Sequence, residues 1–317
     1  MDSEKETTQN IDQAIYIGDE EFDVPDDQYN LLVPILDTNL KTREEGDIER
    51  LLQTAHTITR AHDGVLYLVN IVLYPEQTPL SHVLNEEQVE EARNNVTQLL
   101  ASVSEDSTIS IQGRVCLAHK EIRAIHQMLD QREHDAIFLG TRNPVSQRRR
   151  LFQRDTVEQL LSNAPCDVFV ERFGREPFVE ELGSPSEHVE RILTAVADSP
   201  HSELAVETTR AIALETGARV DIFHGIPPDA SEEAVEAAKT IVDEAAAMLA
   251  DVSDVGTTLV RTETVAEELI TRSNNYDVTV LGATRENLLR QFIFGSLPEQ
   301  VRLGAQNTVL LTKQKAT

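Results

Sequence analysis

The sequence predicts an α/β protein made of two tandem, five-stranded parallel sheets. Three observations carry that reading. Short apolar runs alternate with amphipathic helical stretches along nearly the whole chain, the pattern of a parallel sheet covered on both faces. The same order of elements occurs twice. The length, 317 residues with 40% hydrophobic content, suits two domains of ordinary size, each with its own core.

In the first half, residues 31–36 form an apolar strand. Ile48, Leu51, Leu52, Ala55 and Ile58 then recur at helical spacing. Residues 65–72 read as the second strand. Asn85 and Gln88 make a capping-box pattern ahead of a helix with Val89, Ala92, Val96 and Leu99 on one face. Residues 109–116 alternate as a third strand, followed by a helix over 122–129. A strand at 136–139, a basic loop, a helix from Asp155 and a strand at 168–170 complete the half.

The second half repeats this order. Residues 192–196 are a strand, and Leu204, Ala205, Ala211 and Ile212 belong to a helix. Residues 220–223 follow as a strand. Ser231, with Glu232 and Glu233 behind it, caps a long helix through Val235, Ala238, Val242, Ala245 and Leu249. Residues 257–260, 278–281 and 308–311 are the remaining strands. The repeat is visible in the residues themselves: 32–38 parallels 193–199, and 138–142 parallels 280–284.

Residues 1–28 are acidic and polar, broken only by Ile15, Tyr16 and Ile17, and read as a mobile tail. Gly174, Pro177, Gly183 and Pro185 fall in a cluster between Glu171 and Glu187, which reads as a linker. The domains are therefore 29–173 and 188–317, joined by 174–187. The net charge is -27, from 55 acidic and 28 basic residues. Such a surface repels nucleic acid and anionic membrane. Its scarcity of lysine reads as that of a high-salt cytoplasm, with an ordinary acidic cytosolic protein as the alternative. Cys116 and Cys166 offer neither zinc spacing nor a disulfide framework, which suits a reducing cytoplasmic setting. No run is long enough to insert in a membrane.

The most informative stretch follows the strand at 278–281. Gly282 is separated by two residues from Arg285, and nine more lead to Gly295 and Ser296. Leu297 and Pro298 then open a helix. A strand, a glycine-bearing loop and a helix N-terminus make a place for an anion, because free N–H groups and the helix dipole point outward. Gly295 and Ser296 read equally as a capping box with proline in the first turn, which needs no ligand.

This layout resembles the universal stress protein family, whose ATP-binding members carry Gly-x2-Gly-x9-Gly-Ser/Thr between the fourth strand and the next helix. Gly282, Gly295 and Ser296 match, and Arg285 stands at the middle glycine. The family's first strand usually ends Val-Asp-Gly-Ser. Val196, Ala197, Asp198 and Ser199 stand there, with the aspartate displaced by one. The resemblance covers nearly all of residues 30–313. It implies Rossmann-like open sheets of the adenine-nucleotide hydrolase type, paired through their last strands as an intramolecular pseudo-dimer, alone or within a homodimer. It implies a stress-response regulator with one ATP- or AMP-type site, with Mg, formed by Ala197, Asp198, Gly282, Arg285, Gly295, Ser296 and Leu297.

The first half departs further. Gly140 is kept, Asn143 takes the second glycine's place, and Arg154 and Asp155 replace Gly-Ser. A carboxylate at that helix start occupies the place of a phosphate, so this half is expected not to bind ATP. Arg142, Arg148, Arg149, Arg150 and Arg154 form the one basic patch. It reads as a docking surface for an acidic partner, a polyanion or the chain's own acidic tail, or as a solvated loop that balances local negative charge. Residues 75–81 resemble a segment of universal stress domains attached to amino-acid and cation transporters. That raises the alternative of a ligand-free module regulating a transporter. His119 and His126 read as a surface stripe on one helix, not as metal ligands. No nucleophile–base pair stands out; an enzyme is the third reading, and the Ser-Gly-Gly phosphate loop of related adenylating enzymes is absent, with Ser199, Pro200 and His201 in its place.

The charge generates the first prediction. Carboxylate repulsion reaches ~30 Å at about 0.01 M salt and only ~3 Å at 1 M. The melting temperature should rise between dilute buffer and molar potassium chloride, by about 2–4 °C for each 1 kcal/mol of repulsion relieved. A flat salt dependence in calorimetry would contradict the halophilic reading.

Overall fold

The computed structural model describes residues 14–17, 28–36, 45–104, 109–131, 134–142, 154–173, 189–283 and 307–315. A short strand β1 (Ile15–Ile17) precedes the first domain, which contains β2 (Asn30–Leu36), α1 (Glu45–Ala61), β3 (Val65–Leu73), α2 (Glu87–Ser104), β4 (Ser110–Ala118), α3 (Glu121–Gln131), β5 (Ala136–Arg142), α4 (Arg154–Asn163) and β6 (Asp167–Phe173). The second contains β7 (Arg191–Ala195), α5 (Pro200–Thr216), β8 (Arg219–Ile226), α6 (Glu232–Met248), β9 (Val255–Arg261), α7 (Val265–Ser273), β10 (Val278–Gly282) and β11 (Thr308–Lys313). Each expected strand is present, extended by a residue or more in most cases.

Among the described residues the strands join in one eleven-stranded sheet, ordered β1-β4-β3-β2-β5-β6-β11-β10-β7-β8-β9. Within each domain every pairing is parallel, as crossover helices require. The two halves meet where β6 and β11 pair antiparallel, with Val170 opposite Leu311. Arg172 faces Val309 and Val168 faces Lys313, so the register is symmetric about the Val170–Leu311 pair. The expected pseudo-dimer through the last strands is what forms. α1 and α5 pack against each other across the same seam.

Capping residues set the helix ends. Ser199 caps α5 by accepting the Ser202 N–H, Pro200 fills the first turn, and Gly217 ends the helix at φ 72°. Ser231 caps α6 through the Ala234 N–H at 3.2 Å. α2 begins at Glu87, one position later than a cap at Asn85 would give. Glu86 instead accepts a hydrogen bond from the Tyr74 hydroxyl at 3.2 Å.

Two features depart from the sequence reading. Ile15–Ile17, inside the expected tail, forms β1 and pairs antiparallel with β4. Gln127 holds it by bonding both the N–H and the carbonyl of Ala14. A strand added there covers an open sheet edge. Glu171, in the expected linker cluster, is instead in β6 and only 2% exposed. Residues 174–187 lie outside the described residues.

Leu311 is fully buried at the centre of the seam. Leu311→Ala should cost about 2–5 kcal/mol of stability, read as a lower urea midpoint. If the domains unfold independently of the seam, only the transition of domain two will move.

Candidate functional site

In the second domain β10 lies between β11 and β7, and the chain leaves β7 toward β8 on the other side. This is the switch point of an open parallel sheet, where a crevice forms beyond the strands' carboxyl ends. Ala197, Asp198 and Gly282 all come to this edge. Arg285, Gly295, Ser296 and Leu297 lie outside the described residues.

The turn after β7 is closed by its own hydroxyls. The Ala197 N–H donates to the Ser202 hydroxyl at 2.9 Å, and the Ser202 N–H donates to the Ser199 hydroxyl at 3.3 Å. Val196 donates its N–H to the Phe223 carbonyl, and the His224 ring nitrogen Nδ1 sits 2.8 Å from the Val196 carbonyl. Asp198 is the exposed carboxylate of this turn.

Gly282 has a reason within the protein. A Cβ built on it would lie 2.5 Å from both the carbonyl carbon and oxygen of His201, and 2.7 Å from the Ser202 nitrogen. The first turn of α5 therefore crosses directly over the end of β10. Three bonds fasten it: Thr312 donates its hydroxyl to the His201 carbonyl, the Gln314 N–H donates to His201 Nδ1, and the Ala283 N–H donates to the Thr312 carbonyl. Burial lowers the His201 pKa; Lys313 adds to the shift and Asp167 opposes it.

In the first domain Asp155 lies exposed in the opening turn of α4. Thr156 beside it donates its hydroxyl to Glu121 at 3.1 Å, and Glu121 is 8% exposed. Two carboxylates thus stand at this helix start, where the sequence had signalled one. Of the basic patch, residues 148–150 lie outside the described residues, and so does Asn143. His119 precedes α3 and does not share a helix with His126; its Nδ1 sits 3.1 Å from the Tyr74 carbonyl.

Leu80–His82 of the short segment after β3 forms a 3-10 turn with Leu80 buried, and Lys120 pairs with Glu76 at 2.7 Å. Both cysteine thiols are buried, and burial pushes each up to about 12, so they stay neutral. Among the described residues no His, Cys, Asp and Glu cluster is arranged to hold a metal, and no helix is long and apolar enough to cross a membrane.

A family model described as the universal stress protein family matches residues 45–172 and again 188–313. No curated protein matches the chain. Among solved structures it is similar to the cytoplasmic domain of a prokaryotic cation chloride cotransporter, at 12% identity over 91% of this chain and 96% of that one, with TM-score 0.55. It is also similar to a universal stress protein from Archaeoglobus fulgidus DSM 4304, at 14% identity over 91% and 97%, with TM-score 0.49. A universal stress protein from Archaeoglobus fulgidus in complex with dAMP matches at 16% identity over 40% and 99%, with TM-score 0.33. The first of these likenesses shows a shared fold.

The close approach at Gly282 generates a further prediction. Gly282→Ala drives a methyl group into backbone, which cannot move as a flexible side chain would. It should destabilise domain two by about 1–3 kcal/mol and shift the NMR signals of the His201 ring. Unchanged His201 signals would mean that α5 does not cross β10 as closely as described.

Proposed function

The chain belongs to the universal stress protein family, and from that premise we propose that it is a cytoplasmic stress-response regulator with one nucleotide site, in domain two. The observation that carries this reading is the switch point. Gly282, Ala197 and Asp198 converge there, at the edge from which the Gly295-Ser296 motif continues the chain. An ATP- or AMP-type ligand would place its phosphates toward Gly295 and Ser296. Free N–H donors and the dipole of a helix start favour charge of that sign. Asp198, exposed and acceptor-only when ionised, would take a hydrogen bond from the adenosine portion. Arg285 would pair with a phosphate through its guanidinium, and Leu297 would close the wall. Mg would neutralise the polyphosphate and needs no dedicated cluster of protein carboxylates. In domain one, Asp155 and Glu121 oppose an anion at the corresponding helix start.

A second reading is a ligand-free module that regulates a transporter. The fold shared with a cotransporter's cytoplasmic domain favours it, as does the ordered turn at Leu80–His82.

Titration calorimetry with magnesium ATP distinguishes the two. The first reading expects at most one site per chain, and Gly295→Asp should abolish it by placing a carboxylate where the phosphate sits. Binding that survives Gly295→Asp but disappears when Arg148, Arg149 and Arg150 are changed to Ser would overturn the assignment. A wild-type chain that binds no nucleotide leaves the transporter reading.

A further inference from the structure

We propose that a cavity in the seam between the domains binds a compact zwitterion, a molecule of glycine's size with one ammonium and one carboxylate group. The cavity measures about 50 Å³, several times the ~10–15 Å³ that a single water needs. It lies between α1 and α5, over the amino ends of β10 and β11. The nucleotide region lies at the carboxyl ends of the domain-two strands, so this site is separate from it. Arg50, Gln53, Thr57, Glu171, Thr216 and Thr308 supply polar lining, and aliphatic side chains complete the wall.

Charge selects the ligand class. Glu171 is 2% exposed, and Arg50 faces it with Nε 3.8 Å from Oε1. That separation is too long for a hydrogen bond. Among the described residues the lining therefore carries both signs of charge, one of each. A lone cation or a lone anion would meet one group of its own sign. A zwitterion laid antiparallel to the pair puts its ammonium on Glu171 and its carboxylate on Arg50, both as charge-assisted hydrogen bonds.

Thr308 supplies an independent observation. It is 3% exposed, it lines the cavity, and its hydroxyl has no hydrogen-bond partner among the described residues. The hydroxyls of Thr54 and Thr216, on the same wall, already donate to carbonyls of their own helices. A buried hydroxyl without a partner is costly unless a bound molecule supplies one.

The pseudo-symmetry shows that the space belongs to this side of the seam. About the Val170–Leu311 pair, Asp167 corresponds to Thr308, and Thr312 to Glu171. Asp167 accepts the Lys315 N–H at 2.7 Å, and Thr312 donates to the His201 carbonyl. The stacked rings of Tyr29 and His62, 4.4 Å apart, stand near Asp167. The Tyr29 and His62 rings stand on that side, where Asp167 and Thr312 are hydrogen-bonded; on this side the counterparts line a cavity.

Saturation-transfer NMR on the full chain tests the site, with glycine as the probe and methylammonium and acetate as singly charged controls at equal ionic strength. Glycine should show a saturable signal that exceeds both controls. Glu171→Gln and Arg50→Gln should each weaken binding about tenfold or more, the scale of one charge-assisted hydrogen bond. Thr308→Val, which keeps the shape and removes the hydroxyl, should weaken it a few-fold and covers the case in which Glu171→Gln does not fold. A glycine signal no larger than the controls means a cavity filled by water alone and overturns the proposal. So does binding to Thr308→Val and Arg50→Gln as tight as to the wild type.

Discussion

Everything in this molecule depends on the antiparallel pairing of β6 with β11. Each is the last strand of its domain, and each without the other would be an open edge with unpaired N–H and carbonyl groups. Pairing them satisfies both edges and makes one sheet of two. It also fixes how α1 and α5 meet, because both helices lie over the strands flanking the seam. The symmetric register matters here: an axis through Val170 and Leu311 lets one repeat serve as the partner of the other. Buried Glu171 and Arg172 stand next to that axis in β6, at 2% and 3% exposure. Burial lowers the pKa of Arg172 to about 10. Placing such groups in a sheet interior is expensive, so the seam is not an apolar contact alone.

The sequence made the parallel sheets legible because a strand covered on both faces must be apolar at nearly every position. Residues such as 65–72 and 278–281 have no alternation to confuse the reading. The elements that escaped lack such a signal. β1 is a three-residue strand inside an acidic segment, and its position depends on Gln127, more than a hundred residues away. α7, Val265–Ser273, is too short to show a clear helical period, although Leu269 and Ile270 are buried. Glu171 looked like linker because its charge says surface. Only the antiparallel partner strand and the facing helix explain why it is inside.

The candidate site was legible as a motif and less so as a surface. Sequence spacing identified Gly282 and the turn at Ala197 and Asp198, and the fold brings them to one edge. Sequence could not show that the Ala197 N–H is already bonded to Ser202. Nor could it show Glu121 reaching Thr156 at the start of α4, since thirty-five positions separate them. Long-range polar contacts of this kind carry no periodicity.

Gly282 shows why a matched motif needs a physical account of each position. A glycine before a phosphate loop invites the inference that a phosphate approaches it. Here the atoms nearest its missing Cβ belong to the first turn of α5. The glycine lets that helix start sit on β10, and Thr312 and Gln314 then hold His201 in place. This arrangement is needed whether or not a nucleotide binds, so retention of Gly282 speaks first for the packing of domain two. The switch point still carries the nucleotide reading, and within the motif the weight passes from Gly282 to Gly295 and Ser296. Their sequence already reads as a helix cap, and a ligand would give both residues a second role.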